Sequence, residues 1–303
     1  MRNFILAVML FFSVVAFGQD NRVESDMFAD MRDGDKAALV VVHSGTVSAS
    51  AEQGTIAPFN QLLKTAFPDM DFREAWSSRA VVRQMSSLGL YKKTPAEVLA
   101  ELRRDGYTHV LIQSSDIVDG DEMDVLRREA ARARADFKCV RIGEPLFHSV
   151  DDYSKVAELL GKIYTTKKTA NVFLCFGSPV GGNESYAMFD YVLHDQGFED
   201  SYVAVADGYP SLSSLLKLLK RDKQKRINLI PCVFVADDAF RTSVLQKWQR
   251  LLLGEGYKVN VIDEGMGELP EIRNIFLRHA EDAKRYRTLS ASEIKMRNAV
   301  GAE

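Results

Sequence analysis

Short runs rich in β-branched residues alternate with longer amphipathic stretches from residue 36 to residue 287, and that alternation admits few folds. A helix between successive strands lets those strands pair in parallel, so the pattern builds βα units around a mainly parallel sheet. The runs at 37–43, 70–75, 109–113, 138–142, 171–176, 202–206, 227–235 and 258–263 read as strands. Between them, 56–66, 80–88, 95–105, 121–135, 152–163, 184–196, 212–220, 241–253 and 271–287 read as helices, with start signals at Thr94-Pro95 followed by Glu97 and at Asp151-Asp152. The strands divide four and four, with the break near 148–151. Each half opens alike, with Val41-Val42-His43-Ser44-Gly45-Thr46 in one and Leu174-Cys175-Phe176-Gly177-Ser178 in the other. The expected architecture is α/β, with two similar lobes at 37–150 and 151–287, each a four-stranded mainly parallel sheet flanked by helices. Open parallel sheets bind ligands in the crevice beyond their strand carboxyl ends, so the interlobe cleft is the expected site.

The ends of the chain read differently. Met1-Arg2-Asn3 precede an apolar run from Phe4 to Phe17, and Ala16-Phe17-Gly18 leads into polar Gln19-Asp20. This is the pattern of a secretory signal peptide cleaved near Gly18, and it predicts an exported protein, periplasmic or secreted. The run is shorter than the roughly 20 residues that span a bilayer, and no Cys follows the cleavage site to carry a lipid. Residues 19–36 read as a polar leader and 288–303 as a tail forming a frayed or weakly docked helix. A formal net charge of −3 supplies no basic field for a phosphate backbone, which argues against nucleic acid as a partner. The three cysteines, Cys139, Cys175 and Cys232, show no CxxC spacing, so buried thiols are favoured over a zinc site or a redox pair.

Candidate chemistry sits at the strand ends. His43 is placed to ligate a metal or move a proton, against the plainer alternative of a histidine hydrogen-bonded within a tight turn. A Ser-His hydrolase built on His43-Ser44 lacks the GxSxG elbow. After the third strand, Gln113-Ser114-Ser115-Asp116 leads to Asp119-Gly120-Asp121-Glu122, where helix capping accounts for most carboxylates and Glu122 is the one expected to face the cleft. The loop from Phe176 to Asn183 carries glycines but no P-loop Lys-Ser/Thr. Asp207-Gly208-Tyr209-Pro210 sets a carboxylate beside an aromatic ring, and Asp237-Asp238 again reads first as a helix cap.

Over residues 36–279 these features resemble the anaerobic-type sirohydrochlorin cobaltochelatases, a family of class II tetrapyrrole chelatases. The likeness is carried by Ala37 to Thr46, by Phe67-Pro68 with Arg73-Glu74-Ala75-Trp76-Ser77-Ser78-Arg79, and by Gly120-Asp121-Glu122. It continues through Gly143-Glu144-Pro145-Leu146, Asp152-Tyr153, Asn183 with Tyr186, Gly208-Tyr209-Pro210, Pro231, Val235-Ala236, Trp248 and Gly267-Glu268. The resemblance implies a cobalt ion held by two histidines and a glutamate on three second-lobe strand ends, facing a tetrapyrrole in the cleft. At those places the family's His-Gly is Phe176-Gly177 here, its Glu-Gly-Tyr-Pro is Asp207-Gly208-Tyr209-Pro210, and its Gly-Asp-His-Ala is Asp237-Asp238-Ala239-Phe240. Both imidazoles are replaced, by Phe176 and Ala239. Cobalt favours imidazole nitrogen, and one Asp207 cannot hold it against water.

Three readings follow from the resemblance. The first is a tetrapyrrole-binding protein outside the cytoplasm that takes haem, a corrinoid or a related macrocycle for uptake or transfer without normal cobalt insertion. Its cleft would be lined by His43, Ser44, Glu122, Phe176, Asn183, Asp207, Tyr209 and Asp238. No covalent cofactor is expected, and a membrane uptake or transfer partner and a homo-oligomer are the candidate assemblies. The second is an active chelatase or dechelatase whose divalent cobalt or iron is held by relocated ligands, drawn from His43, Glu122, Asp207 and Asp238. The third is a non-enzymatic scaffold with a vestigial cleft.

Overall fold

The computed structural model describes residues 21–178, 181–289 and 291–300. The expected signal peptide at 1–18, residues 19–20, the loop residues Pro179-Val180 and the last three residues of the expected tail lie outside the described residues. Among the described residues ten strands run in chain order: β1 Arg22–Glu24, β2 Ala37–His43, β3 Asp71–Trp76, β4 His109–Ser114, β5 Cys139–Ile142, β6 Ala170–Cys175, β7 Ser201–Val205, β8 Arg226–Cys232, β9 Lys258–Val261 and β10 Tyr286–Thr288. One four-stranded sheet has the order β3-β2-β4-β5 and the other β7-β6-β8-β9. Every pairing within them is parallel. The two sheets therefore repeat one topology, as the α/β duplication predicts.

Each central strand serves two cores because its side chains alternate between faces. All seven residues of β2 are buried, as expected where helices cover both sides of a parallel sheet. Ala38, Val40 and Val42 face outward onto the helices Pro95–Arg104 and Asp121–Ala133. Leu39 and Val41 face inward. In β6 the same division sends Val172 and Leu174 outward, and Phe173 and Cys175 inward. The two inward faces meet in a single cluster. At its centre Phe59, Phe234 and Phe276, from three different elements, stand with ring centroids 5.4–5.7 Å apart.

Several sequence expectations need correction. β8 stops at Cys232 instead of running to 235, because Pro231 has no N–H to continue the ladder and pairing with β9 ends at Leu229. Residues 233–235 thereby become cleft loop. One C-terminal-lobe helix crosses between the lobes. The helix Pro270–Arg285 packs on β4, β5 and the helix Ala57–Ala66, all in the N-terminal lobe. Residues 19–36 are not simply a leader, since β1 pairs antiparallel with β10 and Met27 is buried in the inner core. Neither three-residue strand shows an apolar alternation that sequence could reveal. In the tail, Ala291–Val300 is helical, and Arg287 donates two hydrogen bonds to Glu293. Cys175 and Cys232 are buried neighbours across β6 and β8, Cys139 is half-buried, and all three are free thiols. Among the described residues no helix is long and apolar enough to cross a membrane.

The returning helix is fixed by a buried ionic contact. Ser149 and Asp152 form a capping box that starts the helix Val150–Tyr164, with Ser149 Oγ accepting from Asp152 N–H and Asp152 Oδ2 accepting from Ser149 N–H. The remaining Asp152 oxygen, Oδ1, faces His279 Nε2 at 3.1 Å, while His279 Nδ1 faces the Glu144 carbonyl at 3.1 Å. Both ring nitrogens therefore face acceptors. Burial works to raise the Asp152 pKa, but the hydrogen bonds from His279 and Ser149 outweigh it and hold the carboxyl at about 2 against an ordinary 3.8. A folded pKa below the unfolded one stabilises fully above pH 4 and fades as pH falls towards 2, by about 2 kcal/mol in all. Urea unfolding followed across that range shows this loss in the parent protein. The His279→Gln variant is less stable at neutral pH by on the order of 2–4 kcal/mol and has a flatter acid limb.

Candidate functional site

The loops that follow β2, β4, β6 and β8 converge between the lobes around a cavity of about 390 Å³, within the usual size range of small-molecule sites. Ser44, Ser115, Asp116 and Glu122 form its N-terminal wall, and Phe176, Ser178 and Phe234 its C-terminal wall. Gly45 permits the first turn: its φ is +89°, and a Cβ there would lie 2.3 Å from the Trp76 ring. Two hydrogen bonds clasp the lobes together. Thr46 Oγ1 donates to Asp237 Oδ2 at 2.7 Å, and Ser178 Oγ donates to Asp121 Oδ1 at 3.0 Å.

The N-terminal wall is acidic. Glu122 Oε2 accepts from Ser44 Oγ at 2.6 Å and from Ser77 Oγ at 2.9 Å, which holds the carboxylate at the cavity. Burial, and then the charge of Glu122, push the Asp116 pKa well above the ordinary carboxylate range. Asp116 is the residue that sequence reasoning passed over, because capping was taken to explain this stretch. Gly120 is in fact the N-cap of the helix Asp121–Ala133, and Asp116 sits on the loop before it, against the cavity. Its position directly after a fully buried strand was the available signal.

His43 does not reach the cavity, contrary to the expectation that it lines the cleft or holds a metal. It is 1% exposed, between the Phe59 and Phe234 rings. Asn60 Nδ2 donates to Glu74 at 2.6 Å, so Asn60 Oδ1 must accept, and it does so from His43 Nε2–H at 2.9 Å. That leaves His43 Nδ1 to accept from Ser115 Oγ–H at 3.0 Å. Burial lowers the His43 pKa against the opposing hydrogen bond to Asn60, in keeping with a neutral ring. Both nitrogens are therefore occupied, and His43 instead orients Ser115 at the cavity wall.

The second-lobe candidates lie at the rim. Phe176 is 51% exposed with its ring 6.5 Å from that of Phe240, so it flanks the cavity mouth instead of flooring it. Tyr209 is 64% exposed, and Asp207 is exposed, with its carbonyl so close to Gly177 that a Cβ there would lie 2.4 Å away. Asn183 braces its own loop, its Oδ1 accepting from Ser178 N–H and its Nδ2 donating to the Ser178 carbonyl, and it does not line the cavity. Asp237 caps the following helix through Phe240 N–H, while Asp238 lies exposed beside Arg241. Phenyl and methyl groups at 176 and 239 offer no lone pair, so these positions do not fit a metal ion. Among the described residues no group of three or more His, Cys, Asp and Glu side chains is placed to hold one.

A larger cavity of about 690 Å³ lies at the lobe junction, lined by residues that include Glu144, His148, Asp152, Arg278 and His279. Several of its charged groups pair with one another or with a close neighbour: Asp152 with His279, Asp151 with Arg278, and Glu144 with Arg127. The strand ends open on the interlobe cleft instead, and that cleft is the candidate site.

Known proteins share this arrangement. The family described as cobalt chelatase (CbiK) matches residues 36–285. The sirohydrochlorin cobaltochelatase of Salmonella typhimurium is 28% identical over 257 residues, covering 82% of this chain and 96% of that protein. Sirohydrochlorin cobaltochelatase CbiKC of Nitratidesulfovibrio vulgaris is 22% identical over 253 residues, covering 80% of this chain and 89% of that protein. Among solved structures, SirB from Bacillus subtilis with Fe3+ superposes with a TM-score of 0.57 at 15% identity, covering 82% of this chain and 96% of that one. CbiX, the terminal enzyme for biosynthesis of siroheme in denitrifying bacteria, gives 0.51 at 15% identity, covering 82% of this chain and 99% of that one. At this identity the two solved structures speak to the fold alone. The match over residues 36–285 carries the assignment, and the chain belongs to the cobalt chelatase (CbiK) family of class II chelatases.

Proposed function

We propose that the protein binds a tetrapyrrole, such as haem or a corrinoid, in the interlobe cleft and handles it without normal cobalt insertion. The observation that carries this reading is the donor set. The places where the family resemblance implies His, Glu and His hold Phe176, Asp207 and Ala239, and the half-exposed Phe176 ring flanks the cavity beside Phe240. A planar macrocycle gains from packing on aromatic rings whether or not a metal is exchanged. The relocated-ligand alternative is weakened because both His43 nitrogens are occupied away from the cavity. The apolar run from Phe4 to Phe17 supports a place outside the cytoplasm, where such a protein would serve uptake or transfer.

Titrating the purified protein with haemin and with metal-free porphyrin, followed by Co2+ or Fe2+, tests the reading by absorbance. A Soret shift without metallation is expected, and Phe176→Ala weakens binding by about tenfold. No shift with any macrocycle sinks the proposal, and metallation by the unmodified protein returns it to the chelatases proper. A second test installs the donors: the combined Phe176→His, Asp207→Glu and Ala239→His variant gains Co2+ affinity by calorimetry over the parent. Equal affinity in the two proteins would overturn the donor-set argument.

A further inference from the structure

Three sulfur atoms gather where the inner face of the second sheet ends. Cys175 and Cys232 are the last residues of β6 and β8 and stand directly opposite in the parallel register, so their side chains leave the sheet on one face, into the inner core. Met266 reaches them from the short 3-10 turn Met266–Glu268 that follows β9, and the Cys232 thiol donates to its Sδ at 3.5 Å. The backbone fixes that approach: Met266 N–H donates to the Val233 carbonyl at 2.8 Å and Gly267 N–H to the Phe234 carbonyl at 2.9 Å. Both thiols are 0% exposed and Met266 is 2% exposed. Cys232 nevertheless borders the interlobe cavity beside Val233 and Phe234, so the cluster adjoins a route from solvent. None of the three stands at 176, 207 or 239, the positions where the family resemblance implies a donor.

Other thiol chemistry does not suit this place. Neighbouring strands run about 4.8 Å apart, whereas the Cβ atoms of a disulfide stand about 3.8 Å apart, and both thiols are free. Burial, and then the neighbouring Cys232 thiol, push the Cys175 thiol well above its ordinary range, which makes that sulfur a poor nucleophile. Zinc takes four donors in a tetrahedron, and the described residues offer no such group. Two thiols and a thioether are instead the soft set that selects monovalent copper. We propose that Cys175, Cys232 and Met266 form a binding site for copper(I) behind the wall of the interlobe cavity. Binding breaks one S–H bond, releases that proton to solvent and forms a Cu–S bond. The thiolate then cancels the charge of the ion, and a neutral complex is what a site without water can hold. The second thiol and the thioether complete a plane of three sulfurs. With metal–thiolate bonds of about 2.3 Å, such a plane sets its sulfurs about 4 Å apart, so the 3.5 Å contact between Cys232 and Met266 opens by about half an ångström. The flexible methionine side chain accommodates that movement. The site does not depend on the tetrapyrrole reading.

Titrating the reduced protein without oxygen, using Cu+ held by the chromophoric competitor bathocuproine disulfonate, tests the site. The parent takes up one Cu+ per chain with a sulfur-to-copper charge-transfer band in the ultraviolet, and X-ray absorption finds only sulfur in the first shell of the ion. Cys232→Ala lowers the affinity at least about a hundredfold, and Met266→Leu, close in volume, lowers it about tenfold. Cys139→Ala, at the half-buried third thiol, leaves it unchanged. Melting temperatures without metal separate a lost ligand from a lost fold, and if Cys232→Ala does not fold, Cys175→Ala and Met266→Leu carry the comparison. Failure to take copper from the competitor, nitrogen or oxygen in the first shell, or an affinity unmoved by Met266→Leu and by the folded cysteine variants overturns the proposal. An affinity lost in Cys139→Ala overturns it as well, by placing the ion elsewhere.

Discussion

The contact among Phe59, Phe234 and Phe276 is what makes two lobes one molecule. Each ring comes from a different part of the chain: the first long helix, the loop after β8, and the returning helix. Packed together they bring the inner faces of both sheets onto a shared core. Because both sheets are parallel with the same strand order, this one junction also sets their carboxyl ends around a common space. The position of the cleft follows from the way the core closes, and the loops after the strands build its walls.

The same packing explains why two buried histidines behave in opposite ways. His43 is given one donor and one acceptor, Ser115 and Asn60, and so remains neutral. His279 is given two acceptors, a carboxylate and a carbonyl. Residue type alone suggested a metal ligand at the first and nothing at the second. The partners reverse that ranking. Imidazole chemistry in this chain thus depends on what the neighbouring strands and helices present, and both rings serve the framework.

Much of the fold was legible because its signal is local. Seven buried residues in a row, as in β2, announce a strand covered on both faces, and Thr94 with Glu97 forms the capping box its spacing implies. Ser44, Glu122 and Phe176 could be singled out because they follow strand ends, which in a parallel sheet point to the crevice, and all three line the cavity. What sequence could not show is long-range. Asn60 lies 17 residues from His43 and Ser115 lies 72, so the occupation of both nitrogens is invisible in the chain. Asp116 looked like one more carboxylate in an acidic stretch, and only the cavity wall distinguishes it. β1 and β10, three residues each, find one another across the whole length of the fold.

The returning helix Pro270–Arg285 has a consequence for the order of assembly. It covers β4 and β5, which the chain has completed by Ile142, and it supplies the Phe276 ring to the central contact. A nascent chain that has not yet delivered this helix leaves an apolar sheet face bare and the aromatic triangle missing a corner. The N-terminal half therefore completes its core with a helix from the carboxyl end. The contacts that close the fold span long sequence separations, so the molecule is topologically a loop fastened by its last long helix.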